Sequence, residues 1–600
     1  MNKKINDRDL IDDKRVDEKY IVLFQVWKEL TDNRTLDSYQ YRVMNTLSAI
    51  KELVDVLNNS LLNIYKSNAN VEECTQETKN IIKSDDVLKK YFFVCWKTLL
   101  EHLSQKADKD TKQRALRYQL EYLYGLIAPT YFEMLVKELE LCIEGNDVGG
   151  IVRNADRVVS NCVTRGWSTN ALYNVIEALY DSQGDSQKWD DFKEKILKGQ
   201  PDEYHVLIPL KVRIIGIGNT HQANEEKLVE HIKSSGMNVL SYAEIMDKYD
   251  ELNNISKSEY YLDIEIQAYD FYSASHMALS KYANILNMFS FYNVIEAWTI
   301  KDISWNVVNT NNNKNKKIVP KTLYGTYGYL EGASNILLKS LNLSKIDNSI
   351  NARLFSTYSY ANMSRASYSL EEKYMNMWVA LESLSRSNVY DNIISNVLEC
   401  VPAALCRRYL FRKIRNFAED CIRCNVDYKF SSKIYNIKNT NKSEVVKYVI
   451  EIMGIEELYV ELLNKCKING LLEYRCVELH TLMNDDTKLS QSVKKHYNNV
   501  KQQLSRLYRV RNSIAHTAEK EDVQMVRYIE HLEDYLSEFV SEIIRIASEK
   551  NVEEIEIILE MIKDNYKQFE SLTEAKNKND SLNILKSENG AYKTGIIDLI

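Results

Sequence analysis

Leu504-Ser505-Arg506-Leu507-Tyr508-Arg509-Val510-Arg511-Asn512-Ser513-Ile514-Ala515-His516 is the stretch around which the chain is organised. Extended both ways, Val493, Tyr497, Val500, Leu504, Leu507, Arg511, Ile514 and Ala518 recur at alternating steps of four and three. That is the seam of an amphipathic helix. Every seam position but Arg511 is apolar or aromatic. A guanidinium cannot shed its charge, and burying it unpaired is too costly. Two environments satisfy it: a carboxylate inside the protein, or a cleft that receives a phosphate.

His516 follows five residues later. On a continuous helix it lies about 140° around and about 7.5 Å along from Arg511. The two side chains converge if the helix breaks near Ala515, or if a second copy of the segment supplies the other half of a cleft. Asn512 adds an amide able to hold a hydroxyl or a phosphate oxygen. A fixed cation, a neutral hydrogen-bonding group and a side chain titrating near neutrality suit metal-free cleavage of RNA. The competing structural reading is an arginine paired to a glutamate and an exposed histidine at a helix end.

The order Arg511-Asn512, three residues, His516 resembles the motif of HEPN domains, and Leu507 to His516 is similar to the Apea-like HEPN branch. A second segment, Glu371 to Leu384, predicts a helix packing through Tyr374, Met377, Trp378, Leu381 and Leu384. Its Trp378, Ala380, Leu381 and Glu382 match the Trp-x-Ala-Leu-Glu signature of the opening helix of those domains. The resemblance covers roughly the last 40% of the chain. It implies an all-α bundle that dimerises and acts as a metal-independent endoribonuclease, in phage defence by abortive infection or as a toxin. The N-terminal half does not resemble the β-rich partner domain of the prototype Apea proteins, so trigger and substrate do not transfer.

With 600 residues, the chain exceeds one core and suggests about three domains. Five prolines and 17 glycines favour long helices over many-turned β architecture. A net charge of −7 excludes a generally basic nucleic-acid coat, so RNA contact must rest on a local patch. The N-terminus lacks the apolar core of a signal peptide and no run of about 18 apolar residues occurs, so a cytoplasmic protein without a membrane span is expected. The ten cysteines are scattered. Only Cys421-Ile422-Arg423-Cys424 has ligand-like spacing, and no second pair follows within reach, so reduced thiols and neither metal nor cofactor are expected.

The expected fold is mainly α, with a helical N-terminal scaffold or sensing domain (1–200), a small α/β middle segment of strand-helix units (201–345) and a C-terminal HEPN-like helical bundle (346–600). Three-and-four periodicity predicts helices over Ile21 to Leu30, Tyr41 to Ile64, Val87 to Leu103, Arg114 to Ile143 and Ala155 to Val163. Gly166 then reads as a C-cap and Ser168 as the next N-cap. In the middle segment His205 to Gly216 and Tyr260 to Tyr269 read as strands, Glu225 to Ser234 as a helix and Asn309 to Lys317 as an exposed loop. A helix is expected to start at Ser273. Gly216-Ile217-Gly218-Asn219 lacks the third glycine of a dinucleotide fingerprint and the Gly-Lys-Ser/Thr of a P-loop. His221 and His231 have no matching carboxylates. Further helices are expected over Ile393 to Leu405, Phe411 to Cys421, Ser443 to Met453, Ile455 to Cys466 and Met525 to Ile543, with a turn at Thr517 to Glu521 and a mobile tail from Thr573.

In the mechanism these residues suggest, His516 is general base or acid for the RNA 2′-hydroxyl. Arg511 holds the scissile phosphate and offsets its growing charge, and Asn512 orients a hydroxyl or oxygen. Glu382 is the candidate to pair with Arg511 without substrate. Arg506 and Arg509 either grip neighbouring phosphates or are ordinary surface charges, and Tyr508 is a candidate to stack on a base. Products would carry 2′,3′-cyclic phosphates. A homodimer with facing motif helices is expected, with RNA and an activating phage or partner component as further partners. The alternative is a catalytically silent HEPN-fold module that binds nucleic acid or a partner protein. A nucleotide-binding, regulatory middle segment stays open.

Overall fold

The computed structural model describes residues 15–32, 44–64, 68–180, 184–210, 238–249, 260–291, 304–319, 349–367, 369–387, 393–435, 442–517, 524–550 and 552–574, with a few isolated positions between 229 and 258. It is mainly helical, with one small antiparallel sheet. The N-terminal part comprises α1 (Glu18–Thr31), α2 (Thr46–Leu61), α3 (Ala69–Lys83), α4 (Asp86–Tyr91), α5 (Phe93–Leu103), α6 (Asp110–Glu144), α7 (Val148–Arg165), α8 (Thr169–Val175) and α9 (Ser186–Leu197). Gly166 takes the left-handed conformation (φ +113°) that ends α7, and the Ser168 side chain accepts from the Ala171 amide, as the sequence predicts. The helix expected over Val87 to Leu103 is two helices, divided at Phe92.

The middle part holds β1 (Asp202–Leu210), β2 (Val239–Ser241), α10 (Tyr242–Lys248), β3 (Tyr260–Ala268), α11 (Phe271–Phe291), β4 (Trp305–Asn309) and β5 (Asn315–Ile318). The strands lie in the order β2-β3-β1-β4-β5, all pairs antiparallel, with Asp202 opposite Ala268 and Tyr204 opposite Asn309. Period-two alternation splits the side chains. Tyr204, Val206 and Ile208 meet α11 on one face, and Leu207 joins Ile245 of α10 on the other. Asn309 to Lys317 is not a free loop but a hairpin whose second half pairs with β4. Gly216–Asn219, His221 and His231 lie outside the described residues, as do the strand expected beyond Leu210 and most of the helix expected over Glu225 to Ser234.

The C-terminal part comprises α12 (Ser349–Ala366), α13 (Leu370–Ser385), α14 (Ile393–Arg423), α15 (Lys442–Met453), α16 (Glu456–Cys466), α17 (Gly470–Asn484), α18 (Asp486–Thr517), α19 (Met525–Lys550) and α20 (Ile555–Glu574). Two expected helices merge into α14, because nothing between Leu405 and Phe411 breaks a helix and Cys406, Tyr409 and Leu410 are buried. The buried Lys373 ammonium caps α12, donating to the Ser364 and Arg365 carbonyls, and desolvation holds its pKa down at about 8. The tail from residue 575 lies outside the described residues.

One apolar cluster runs from Trp27, Leu53 and Leu120 through Trp378 and Leu381 to Leu504, Leu507 and Phe539. The N-terminal helices and the C-terminal bundle therefore share a core. A separate cluster is built on the latter part of α14 and on α15 to α17. It contains Cys421, Cys424, Cys466 and Cys476, all of them buried. Folding thus brings together cysteines that linear spacing kept apart. Among the described residues no group of three or more ligating side chains is placed to hold a metal ion, and no helix is long and apolar enough to cross a membrane.

The sheet is pinned to the N-terminal helices by one carboxylate. Asp270 accepts from the Ser168 amide and hydroxyl, both at 2.8 Å, and from the Tyr272 and Ser273 amides at 2.8 and 2.9 Å. It therefore caps α11 and anchors the start of α8 at once.

Candidate functional site

The motif lies on the last three turns of α18, which runs unbroken to Thr517. Val493, Val500, Leu504 and Leu507 are buried, so the seam faces the core as its periodicity predicts. The signature helix α13 packs directly on this segment. The Tyr374 hydroxyl donates to the Leu507 carbonyl, and the Trp378 and Tyr508 rings lie 5.8 Å apart between centroids. The two matched segments, about 130 residues apart in sequence, are thus neighbours in space. Tyr508 is partly buried against that tryptophan.

Arg511 is half-buried. Its Nη1 donates to the Asn512 side-chain oxygen at 3.1 Å, while its Nε is buried without a hydrogen-bond partner. No carboxylate lies within ion-pair distance of it among the described residues. The expected partner, Glu382, is engaged elsewhere: its Oε1 accepts from the Trp378 indole at 2.7 Å, one turn away on the same helix. The expected Glu382–Arg511 pair is not formed; the Glu382 carboxylate is bonded within its own helix instead.

A break near Ala515, one of the two ways the pair could converge, is absent. His516 is the penultimate residue of α18, so its helical position and that of Arg511 diverge by about 140°. The helix instead carries His516 within about 20° of the direction of Arg509. One chain's motif helix does not bring the two catalytic candidates onto one face. The turn expected at Thr517 to Glu521 lies, beyond Thr517, outside the described residues.

Arg506 and Arg509 are not surface charges. They are 7% and 6% exposed and turned into the protein, where both meet Glu52 of α2. Arg506 donates through Nε to Glu52 at 2.9 Å and through Nη2 to Glu77 of α3. Arg509 donates through Nη2 to Glu52, leaving its own Nε buried and unpartnered. Burial opposes ionisation of Glu52, yet the two guanidiniums outweigh it and hold the carboxyl down at about 2. Three arginines within six positions thus occupy two environments. Arg506 and Arg509 are each paired with an internal acid, whereas Arg511 has none among the described residues.

Two constellations carry no signal in the sequence. On α19, His531 is buried; its Nδ1 accepts from the Gln503 amide, whose oxygen accepts from Tyr535. Desolvation, helped by Arg527 and Arg506, pushes its pKa well down, so it is a neutral strut between α18 and α19. On the sheet, Asp263 gathers His205 Nδ1 at 2.7 Å, Lys248 Nζ at 3.0 Å and Asn238 Nδ2 at 2.8 Å. The hydrogen bond to Asp263 raises the pKa of His205. Tertiary packing, of strands and α10 in one case and of α18 on α19 in the other, brings these residues together, so linear spacing could not reveal them. No family model, curated protein or solved structure matches this chain.

Proposed function

We propose that the chain is a metal-independent endoribonuclease of the HEPN type, acting as a homodimer in defence or as a toxin. The observation that carries this reading is the state of Arg511. It sits on an apolar seam, half-buried, with Nε unpartnered and no acid at ion-pair distance among the described residues. A desolvated guanidinium in that condition is a site prepared for an anion. The two arginines beside it show how this helix treats structural cations: it surrounds them with glutamates.

In this mechanism Arg511 holds the scissile phosphate, and Asn512, already hydrogen-bonded to it, orients a non-bridging oxygen or the 2′-hydroxyl. His516 takes the 2′-hydroxyl proton, the 2′-oxygen bonds to phosphorus as the bond from phosphorus to the 5′-oxygen breaks, and the 5′-oxygen takes a proton from solvent water, to which His516 later returns its own. Products are a 2′,3′-cyclic phosphate and a 5′-hydroxyl. Since α18 is continuous, the His516 that serves one Arg511 comes from a second copy of the helix across a dimer cleft.

The test is cleavage of total RNA by wild-type, Arg511→Ala and His516→Ala protein, with end-specific ligation and with EDTA present. Expected are chelator-resistant cuts with cyclic ends, lost by a factor of about 10² or more in each variant. Mixing the two dead variants should restore partial activity through one composite site. Ends bearing 3′-hydroxyls, or cleavage unaltered by either substitution, refute the reading. A second reading, a silent HEPN-fold binding module, draws on the same unbroken helix. It predicts RNA or partner binding without any cut.

A further inference from the structure

A cavity of about 1,100 Å³ lies on the far side of α18 from Arg511. Helices α2, α6 and α7 wall it on one side, and on the other Arg506, Arg509, Val510 and Ser513 of α18, with Tyr528 of α19. These four positions of α18 follow the helical repeat of one face, opposite to that of Arg511. The cavity is therefore distinct from the Arg511 position, although Val56, Phe132, Val510 and Tyr528 of its wall also belong to the shared apolar cluster.

Its chemistry is specific. Lys51 and Arg165 line it without a carboxylate at ion-pair distance among the described residues, and the Arg165 guanidinium lies 4.8 Å from the centre of the Phe132 ring. Deeper in, Arg509 presents a buried Nε with no acceptor beside the Glu52 pair. Aromatic surface is supplied by Tyr124, Phe132 and Tyr528, and carboxylates by Asp55 and Glu133. Unpaired cations call for an anionic head, aromatic walls for a planar ring, and peripheral carboxylates for amine donors on that ring. The volume is ample for one such molecule.

We infer that this cavity binds a nucleoside phosphate whose base carries an exocyclic amine, and that its occupation regulates the motif carried by the same helix, whose Arg511 lies on the opposite face of α18. The regulatory half rests on the ribonuclease reading; the binding half does not. Phosphate oxygens that reach Arg509 compete with Glu52, loosening the ion cluster that fixes α18 to α2. The motif residues Arg511 and Asn512 are two and three positions from Arg509 along the same rigid helix, so they move with it.

The test is calorimetric titration of the full-length chain with AMP, GMP, UMP and unphosphorylated adenosine, and with short RNA bearing a 5′-phosphate or a 5′-hydroxyl. AMP or GMP should bind at least about tenfold more tightly than adenosine and than UMP. A Lys51→Gln/Arg165→Gln double variant should lose about tenfold in that affinity at unchanged melting temperature. Competition by 5′-phosphorylated RNA alone identifies an RNA end as the source of the nucleotide; no competition identifies a free nucleotide. No binding at millimolar mononucleotide, adenosine equal to AMP, or full affinity in the double variant overturns the site. In parallel, saturating AMP or GMP should change the RNA cleavage rate of the wild type and not that of the double variant. Binding with an unchanged rate overturns the regulatory half. Binding with no RNA cleavage under any condition sinks the ribonuclease reading and leaves the cavity standing.

Discussion

Replacing Glu52 by glutamine removes the charge on which two buried arginines depend, while keeping size and one acceptor oxygen. Its cost follows from the structure in two independent ways. Breaking a buried ion pair by deleting one partner typically costs about 3–5 kcal/mol, because the remaining charge is stranded. Arg506 retains Glu77, but Arg509 keeps no acid, so the lower end of that range applies. The second route is proton linkage. A carboxyl held at about 2 in the folded chain, against an ordinary 4.5, contributes roughly 3 kcal/mol at neutral pH. The Glu52 side chain is only 18% exposed, so solvent screening takes little of this. The sign is that of a depressed carboxyl: the contribution is fully present above about pH 4.5 and lost as pH falls towards about 2. The stability gap between wild type and Glu52→Gln should be about 3 kcal/mol at pH 7 and about 2 kcal/mol near pH 3.5. Urea unfolding followed by far-ultraviolet dichroism at several pH values measures it. A gap below about 1 kcal/mol at neutral pH, or one that widens on acidification, would refute the account of this cluster.

Arg511→Met should behave oppositely to the cluster: filling an apolar seam position and abolishing an unsatisfied cation leaves stability unchanged or raises it by about 1 kcal/mol, while cleavage is lost. Thermal unfolding beside the RNA assay reads both, and a large destabilisation would mean the guanidinium is structural. Asp270→Ala removes a cap and a four-bond anchor, so a loss of about 2–4 kcal/mol is expected, along with earlier proteolysis where α8 meets the sheet. Since Asp263 raises the pKa of His205, the stabilisation it brings is fully present below about 6.5 and lost as pH rises through the raised value. The advantage of wild type over His205→Gln should therefore shrink from pH 6 to pH 8, a trend that nuclear magnetic resonance titration of the ring checks directly. Light scattering should give a dimer mass, and a fully active monomer would end the composite-site mechanism.

How far the sequence could be read depended on whether a feature is local. Helix periodicity over Glu371 to Leu384 and Met525 to Ile543, the Gly166 C-cap and the Ser168 N-cap are properties of a few consecutive residues, and all fall within the observed elements. Helices α17 and α20 went unanticipated, although Leu471, Leu472, Cys476 and Leu479 carry a usable repeat. The Asn309 to Lys317 run misleads because its polar residues form an edge strand and a turn, where polarity and pairing coexist.

Arg506, Arg509 and Arg511 draw the division most clearly. From the sequence alone came an amphipathic helix, a charged break in its apolar seam and a histidine five residues on, because side-chain periodicity is intrinsic to the helix. What became of each charge was decided only when α2 and α3 packed against α18. That packing delivered Glu52 and Glu77 to two of the arginines, while Glu382 is bonded to Trp378 on its own helix and no acid meets the third among the described residues. A carboxylate about 450 residues away in sequence leaves no mark on local spacing, yet at hydrogen-bond distance it sets whether a cation holds the protein together or is left for a ligand.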